Sequence, residues 1–578
     1  MLSRVAKDPN TRSLIAAPVL VCTIDHLMPA TESMRGGHQI VPMLRLMSSD
    51  LVLDEPDDFD IKDLPAVTRL VYWAGLLGSR VLLSSATLPP ALVSGLFDAY
   101  YEGRAEYQRH RGTVGLTAAP YCAWFDEYGC TQHQCSDIAS FDTAHQAFAQ
   151  RRSARLANKD VLRKAYLAQL SSPSARSEDI HQALAECFVD NALLLHGHHH
   201  SIDPASGKRI SFGLIRMANI EPLVATAKVL YQASLPENHH IHLCVYHSQF
   251  PLLLRSRIEE RLDVCLDRHS PNAVFELTDI RQRIDAQGAS DQLFIVLGSP
   301  VTEVGRDHDY DWTIVEPSSM RSIIQLAGRI QRHRERIANT PNVALLSTNV
   351  RHLKKKEVAY SKPGFEEGAW LLNSHQMSDL LRESEISCID SRPRLLSAEN
   401  LDIKGKLSDL EHARLSALMK VENSTLSTNR LNPRKRRGEA TRTTLGAYLF
   451  FRPCSMSLSA LPMQQQRFRD SSESKQEYLL LPDETGEEYE VKRVDREGRH
   501  EDWRPAETEI GRLPDSVVQN QHISPWNDVD YLDALTHQAE AMELSIEVCA
   551  CKFGRAQLNA NYAPYGWSFH PALGFVRR

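Results

Sequence analysis

Apolar residues along this chain come in two rhythms, and each predicts a different kind of element. The short unbroken runs Asp50–Leu53, Arg80–Leu83, Ile241–Tyr246, Gln292–Leu297 and Trp312–Val315 read as strands buried on both faces of a parallel sheet. Leu252–Leu266 and Met320–Ile330 read as helices between or after them, and the Ala-, Leu-, Gln- and Arg-rich stretch 140–195 is helical as well. A Gly-, Pro- and His-rich loop is expected over 196–208. The eleven-residue apolar run Leu14–Ile24 reads as one more buried strand. Arg4, Lys7 and Arg12 precede it as in a secretory leader, but Pro18 interrupts it and no small-residue cleavage site ends it.

Beyond this the pattern changes twice. From about 350 to 440 the chain is polar and helical with charge runs. From about 445 it turns to β-type segments such as Ala447–Phe451 and Glu488–Val494, beside an acidic stretch at 483–509. No repeat of 20–50 residues is visible. The coarse expectation is two α/β sheets separated by a helical insertion and followed by an accessory α+β domain.

Composition narrows the function classes. With 578 residues, 42% hydrophobic and 24% charged, the chain can bury several cores and is neither disordered nor disulfide-stapled. Its net charge of −7 means that nucleic-acid binding would need local basic patches. Two such runs exist, Lys354-Lys355-Lys356 and Arg434-Lys435-Arg436-Arg437, which equally suit a solvated linker. Eleven scattered cysteines, an odd number, read as reduced thiols and point to the cytoplasm. No apolar run reaches the roughly 18–20 residues of a membrane span, so no membrane partner is expected.

Three segments carry chemistry. In Leu51-Val52-Leu53-Asp54-Glu55-Pro56-Asp57 a strand ends in acids, placing carboxylates at the carboxyl edge of a sheet where α/β folds bind ligands. The first acid, Asp54, suits Mg²⁺ on nucleotide phosphates, and the second, Glu55, an attacking water. The alternative is a strand running into an acidic surface loop. Ser85 and Thr87 end the next strand and are placed to hydrogen-bond those acids. In Gln325-Leu326-Ala327-Gly328-Arg329-Ile330-Gln331-Arg332, helical spacing puts Gln325, Arg329 and Arg332 on one face and Ile323, Leu326 and Ile330 on the other. Such an arginine pair suits a γ-phosphate, or else a merely solvated face.

Together and in this order these segments resemble the acidic box, the Ser-Ala-Thr motif and the Gln-x-x-Gly-Arg-x-x-Arg motif of superfamily 2 helicases. Tyr246-His247-Ser248-Gln249-Phe250, Asp54–Asp60 and Ser211–Ile220 resemble more closely the CRISPR-associated helicase–nuclease of type I systems, most of all the I-F subtype. The resemblance covers most of 15–335 and, more loosely, the C-terminal domain. It implies two RecA-like parallel-sheet domains, the first incomplete (1–110) and the second at 206–350. A helical insertion (111–205), a charged helical linker (351–444) and an accessory domain (445–578) complete the expected organisation. It implies ATP and Mg²⁺ as cofactors, with Asp54, Glu55, Arg329 and Arg332 catalytic, and Gln325, Gly305 and Asp307 at the nucleotide. Ser85 and Thr87 would couple that site to DNA, which Thr23, His26, His247 and Thr302 would contact. Expected partners are single-stranded DNA and a guide-RNA surveillance complex, the activity being unwinding and degradation of invading DNA.

The sequence departs from that family in lacking a Gly-x-x-x-x-Gly-Lys-[Ser/Thr] phosphate loop. Nor does an HD nuclease, the family's user of a divalent transition metal, precede the helicase motifs. The expectation is therefore a C-terminal portion of a longer enzyme, inactive alone as ATPase or nuclease and rescued by the N-terminal half in trans. An inactive interaction remnant and a superfamily 2 helicase outside CRISPR are the alternatives. His196–His200 with Asp203, and Cys122, Cys130, His133 and Cys135, have metal-like composition but match no common module, and solvated histidines and scattered thiols explain them as well.

Overall fold

The computed structural model describes residues 8–32, 37–303, 307–361, 365–419, 467–469, 474–497, 500–506, 508–527 and 529–578. The chain forms two compact units, one of Met1–Lys159, Pro363–Leu372 and Ser391–Asp470, the other of Asp160–Lys362, Asn373–Asp390 and Ser471–Arg578. The architecture is mixed α/β, with a large parallel sheet and an antiparallel C-terminal β region. Among the described residues no helix is long and apolar enough to cross a membrane.

In the first unit, helices α1 (Pro9–Ala16) and α2 (Ile40–Ser48) precede strand β1 (Leu51–Asp54). Helix α3 (Leu64–Leu77) leads to β2 (Val81–Ser84), then α4 (Pro90–Arg111). β1 and β2 pair in parallel as a two-stranded sheet, Leu51 opposite Val81 and Asp54 opposite Ser84. α3 and α4 pack closely because Gly75 and Gly103 carry no Cβ: one on Gly75 would lie 2.5 Å from the Tyr100 carbonyl oxygen, and one on Gly103 2.3 Å from that of Tyr72. Leu51 and Leu53 enter the core with Leu64, Val67, Leu70 and Leu92. Then follow the hairpin β3 (Tyr121–Asp126) and β4 (Gly129–Gln134) and helix α5 (Ile138–Ala157), whose Asp137 N-cap accepts from the Ser140 backbone at 2.7 Å.

The second unit is built on an eight-stranded sheet of β5 (Ala165–Ala168), β6 (Ser201–Ile202), β7 (Arg209–Arg216), β8 (His239–Tyr246), β9 (Asp291–Gly298), β10 (Trp312–Val315), β11 (Val343–Leu346) and β16 (Ile523–Pro525). The order is β16-β8-β9-β7-β10-β11-β5, all parallel, with short β6 antiparallel on β7. Helices α6 (Ser177–His199), α7 (Ile220–Leu230), α8 (Leu252–Cys265) and α9 (Met320–Ala327) belong to this unit. Its C-terminal part adds the antiparallel sheet β14-β13-β12-β17 and the sheet β15-β18-β19. These contain β12 (Lys475–Pro482), β13 (Tyr489–Glu497), β14 (His500–Pro505), β15 (Ile510–Arg512), β17 (Arg555–Asn559), β18 (Trp567–His570) and β19 (Gly574–Arg577).

Several expectations change. Leu14–Ile24 is not a buried strand: α1 ends at Ala16, and Val19 and Val21 are 78% and 91% exposed, with no strand pairing them among the described residues. Stretch 111–205 is less helical than the insertion expected there, because the β3–β4 hairpin and the edge strand β5 lie within it. The histidines at 196–199 end α6 rather than opening a loop. α9 stops at Ala327, three residues short of Ile330, where Gly328 caps it. Glu488–Val494 is found within β13 apart from its first residue, whereas Ala447–Phe451 and Arg434–Arg437 lie outside the described residues.

Candidate nucleotide-site residues

The acidic box is built by the end of β1. Glu55 leaves the strand in the left-handed region (φ 48°) while its N–H still donates to the Ser84 carbonyl at 2.7 Å, so the chain turns sharply at the sheet's carboxyl edge. Asp54 is exposed there. Ser85 Oγ donates to Glu55 Oε2 at 2.6 Å, and Thr87 Oγ1 to Asp57 Oδ2 at 2.7 Å. Both hydroxyls expected from the sequence to reach the acids of the neighbouring strand therefore do so. Burial raises the Glu55 pKa against the lowering by Ser85, and the nearby charges of Asp57, Asp58 and Asp54 raise it further. That places a partly desolvated carboxylate with elevated proton affinity beside an exposed one.

In the sequence Asp57 is only one more acid in a run, and nothing there marks its role. In the fold it is 5% exposed, and Arg394 Nη2 lies 3.4 Å from its Oδ2 while Arg394 Nη1 donates to Glu411 Oε2 at 2.7 Å. A buried guanidinium 337 residues along the chain thus holds the third acid of the motif. Thr23 caps the 3₁₀ turn Ile24–His26, and Thr23 and His26 are both exposed.

The second unit carries the arginines, though not on a helix face as expected. Beyond Gly328 the chain turns, and Ile330 bridges to Tyr310, with Tyr310 N–H donating to the Arg329 carbonyl at 2.9 Å. Arg329 is 8% exposed and donates to the Glu303 carbonyl at 2.9 Å, tying the turn to the residue that follows the 3₁₀ turn Pro300–Thr302. Arg332 is more open, its side chain 43% exposed and 2.5 Å from Asp307 Oδ1. Burial alone would raise the Asp307 pKa, but its bonds to His333 and Arg332 prevail and hold it below the usual carboxylate range. Gln325 is half-buried on α9. Gly305 lies outside the described residues.

Arg334, which the motif spacing does not single out, is the structural centre of this turn. It grips Asp309 through two bonds of 2.8 Å and Asp311 through one of 2.5 Å, all nearly inaccessible. Two of the expected nucleic-acid contacts face inward. His247 is fully buried and 2.9 Å from the Leu573 carbonyl, and Gly574 (φ +71°) leaves free the space where a Cβ would come within 2.7 Å of the Gln249 carbonyl. Thr302 is 2% exposed, bonded to the Ser299 carbonyl.

The metal-like clusters dissolve into separate partnerships. His196 Nδ1 lies 2.7 Å from Ser211 Oγ and its Nε2 3.1 Å from Asp291, whereas His199 meets the Pro341 carbonyl and His200 the His196 carbonyl. Ser211, His196 and Asp291 are sealed in the core, so this Ser-His-Asp contact is structural. Across the hairpin, Cys122 opposes His133 while Cys130 opposes Phe125 on the other face, so the four ligands cannot converge. Burial, with Cys135 beside it, pushes the Cys122 thiol up to about 12. Asp267, His269 and His333 do place ligand atoms within 4.8 Å of one another. However, His333 Nδ1 accepts the Arg268 N–H at 3.1 Å, which occupies the lone pair a metal would need.

Comparison with known proteins adds lineage to this geometry. Residues 209–335 match the model described as CRISPR-associated nuclease/helicase Cas3, C-terminal, and residues 480–577 that of the Cas3 subtype I-F/YPEST-like C-terminal domain. The chain is 45% identical over 566 residues to the CRISPR-associated nuclease/helicase Cas3 subtype I-F/YPEST of Pseudomonas aeruginosa, spanning 98% of itself and 50% of that relative. With the counterpart from Pectobacterium atrosepticum it is 48% identical over 425 residues, 73% of this chain and 39% of that one. It thus spans half or less of the length of these curated relatives. Among solved structures, T. fusca Cas3 with AMPPNP is 19% identical over 58% of this chain and 34% of its own, at a TM-score of 0.37. Another, described as a CRISPR-associated protein, is 16% identical over 98% of this chain and 55% of its own, at 0.41. By its two domain matches and its identity along nearly the whole sequence, the chain belongs to the CRISPR-associated Cas3 nuclease/helicase family of the I-F/YPEST subtype.

Proposed function

We propose that the chain is the ATP-hydrolysing, DNA-translocating portion of an I-F helicase–nuclease that unwinds invading DNA for degradation. The observation that carries this reading is the pair of side-chain bonds from Ser85 to Glu55 and from Thr87 to Asp57 across adjacent strand ends. Asp54, exposed at the end of β1, fits a Mg²⁺ ligand, and Mg²⁺ would supply charge neutralisation on the phosphates. Glu55, with its raised pKa, would accept a proton from the attacking water while Ser85 fixes its carboxylate. Arg332, held on Asp307 by a solvent-accessible pair, would exchange that partner for phosphate, and Arg329 would hold the neighbouring backbone at Glu303 during the exchange. Gln325 and Gly305 would complete the nucleotide contacts, and Thr23 and His26 offer exposed groups to single-stranded DNA. A guide-RNA surveillance complex is the partner that would deliver that strand.

The test supplies the chain in trans with the N-terminal region of an I-F relative and measures ATP hydrolysis stimulated by single-stranded DNA. Glu55→Gln should lower it about 100-fold or more; unchanged hydrolysis would overturn the assignment. Calorimetric titration of the chain with Mg·ATP tests nucleotide binding directly, and its loss in Asp54→Ala would support the Mg²⁺ role of that carboxylate.

A further inference from the structure

One oxygen of Asp307 is approached by two groups of opposite character. Arg332 Nε lies 2.5 Å from its Oδ1, and His333 Nε2 comes within 3.2 Å of the same atom. The guanidinium and the carboxylate are both open to solvent, whereas the His333 side chain is only 4% accessible. Three contacts fix that imidazole in place. The His333 backbone N–H donates to Asp309 Oδ2 at 3.3 Å, and Nδ1 accepts the Arg268 N–H at 3.1 Å. The His269 ring, itself 2.7 Å from Asp267, stacks on it with centroids 3.9 Å apart. Asp309 is in turn gripped twice by Arg334, so the anchor is rigid.

The Arg268 contact also decides where the ring carries its proton. A backbone N–H can only donate, so Nδ1 offers its lone pair and the proton sits on Nε2, the atom nearest Asp307. Yet Nε2 has no well-directed hydrogen-bond partner among the described residues. The 3.2 Å separation is short enough, so it is the direction that fails: Arg332 holds the carboxylate away from the line of the imidazole N–H. A buried donor left unsatisfied is costly, and the cost vanishes once the carboxylate turns onto it. The accessible pair of Arg332 and Asp307 is by contrast weak and easily opened.

We infer that His333 is the reserve partner of Asp307: when Arg332 leaves, the carboxylate swings onto Nε2–H and is held there. His333 contacts neither nucleotide nor water in the hydrolytic step, so it is a positioning residue acting through Arg332. Its use in catalysis rests on the proposed function, in which Arg332 moves from Asp307 to phosphate. With Asp307 taken up by His333, the guanidinium has no carboxylate drawing it back.

Two substitutions separate the two ends of the ring. His333→Asn keeps an acceptor near Nδ1 for the Arg268 N–H but has no donor at Nε2, whereas His333→Gln places an amide N–H near Nε2. The first measurement is urea unfolding of the chain without nucleotide. His333→Asn should be close to neutral in the parent, but in Arg332→Ala it should lower the folding equilibrium constant about ten-fold. An equal effect in both backgrounds would overturn the inference. The second is ATP hydrolysis with the N-terminal region of an I-F relative in trans. There His333→Asn should lower kcat about ten-fold with KM for Mg·ATP unchanged, and His333→Gln should restore most of it. In Asp307→Ala, where no carboxylate competes for Arg332, His333→Asn should have no further effect. A loss that persists in Asp307→Ala, or full activity in His333→Asn but not in His333→Gln, would overturn the inference by making His333 a structural anchor for Arg268 alone. No hydrolysis by the parent mixture, with the coupling in urea present, would refute the ATPase reading and support the reserve bond.

Discussion

In the second unit β7, β8 and β9 bury every side chain from their second residue onward, whereas in the first unit β1 and β2 alternate. There Val52 is 59% and Leu82 48% exposed while Leu51 and Leu53 lie in the core. Both sheets are parallel and both carry motif residues at their carboxyl edges, so the difference lies in what covers their faces. The buried sheet fixes its motif through backbone: Arg329 on the Glu303 carbonyl, Ile330 bridged to Tyr310 and His247 on the Leu573 carbonyl. The half-covered sheet fixes its motif through side chains, Ser85 on Glu55, Thr87 on Asp57 and Arg394 on Asp57. An acidic motif can thus be held on a two-stranded sheet, provided polar and charged side chains supply the rigidity.

Acid should break the comparison most strongly. His196, His240 and His247 are held at about 4 and His242 at about 3, in each case chiefly by burial. Their folded pKa values lie below the unfolded 6.5, so the folded state keeps its full stability above pH 6.5 and loses it as pH falls toward 4. Each accounts for roughly 3 kcal/mol of that loss, and all four lie in the second unit. The fluorescence of Trp312 and Trp526, both fully buried there, should shift to the red across that window. Native emission persisting at pH 4 would contradict the assignment.

The buried arginines sharpen the comparison next. Arg394→Ala takes the guanidinium from Asp57 and Glu411, and should cost about 3–5 kcal/mol in urea unfolding of the first unit. Arg334→Ala leaves Arg268 3.5 Å from Asp311 but strips the buried Asp309 of both its guanidinium bonds, and should likewise cost about 3–5 kcal/mol, in the second unit. A loss below about 1 kcal/mol would show that Asp309 finds another cation. Gly574→Ala, forced to keep a positive φ with its Cβ against the Gln249 carbonyl, should cost about 1–2 kcal/mol and loosen β19 in hydrogen exchange. Smallest is Val52→Lys with Leu82→Glu on the bare face, which should change stability by less than about 0.5 kcal/mol. It should nevertheless reduce self-association in sedimentation velocity; a large destabilisation would mean that the face is covered.

Much of the site was legible because its motifs are local. Asp54 and Glu55 end one apolar run and Ser85 and Thr87 follow the next, so parallel pairing alone brings them together. The same holds for the large sheet, whose unbroken runs can only be strands covered on both sides. Helical spacing failed at Arg329 and Arg332 because Gly328 caps α9 and the bridge from Tyr310 to Ile330 outcompetes another helical turn. The sequence reading likewise missed β3 and β4, short strands inside the stretch 111–205 expected to be a helical insertion.

Residue identity and contacts close along the chain were enough to establish strands β1, β2, β8, β9 and β10, the order of the motifs and the family resemblance. Which polar groups are buried was settled in three dimensions, because burial depends on residues far apart. His247 is turned inward by Leu573, Asp57 is captured by Arg394, and the histidines at 196, 199 and 200 are each claimed by a different partner. A buried charge or imidazole must find its hydrogen-bond partner wherever the fold brings one, and no spacing along the chain encodes that distance.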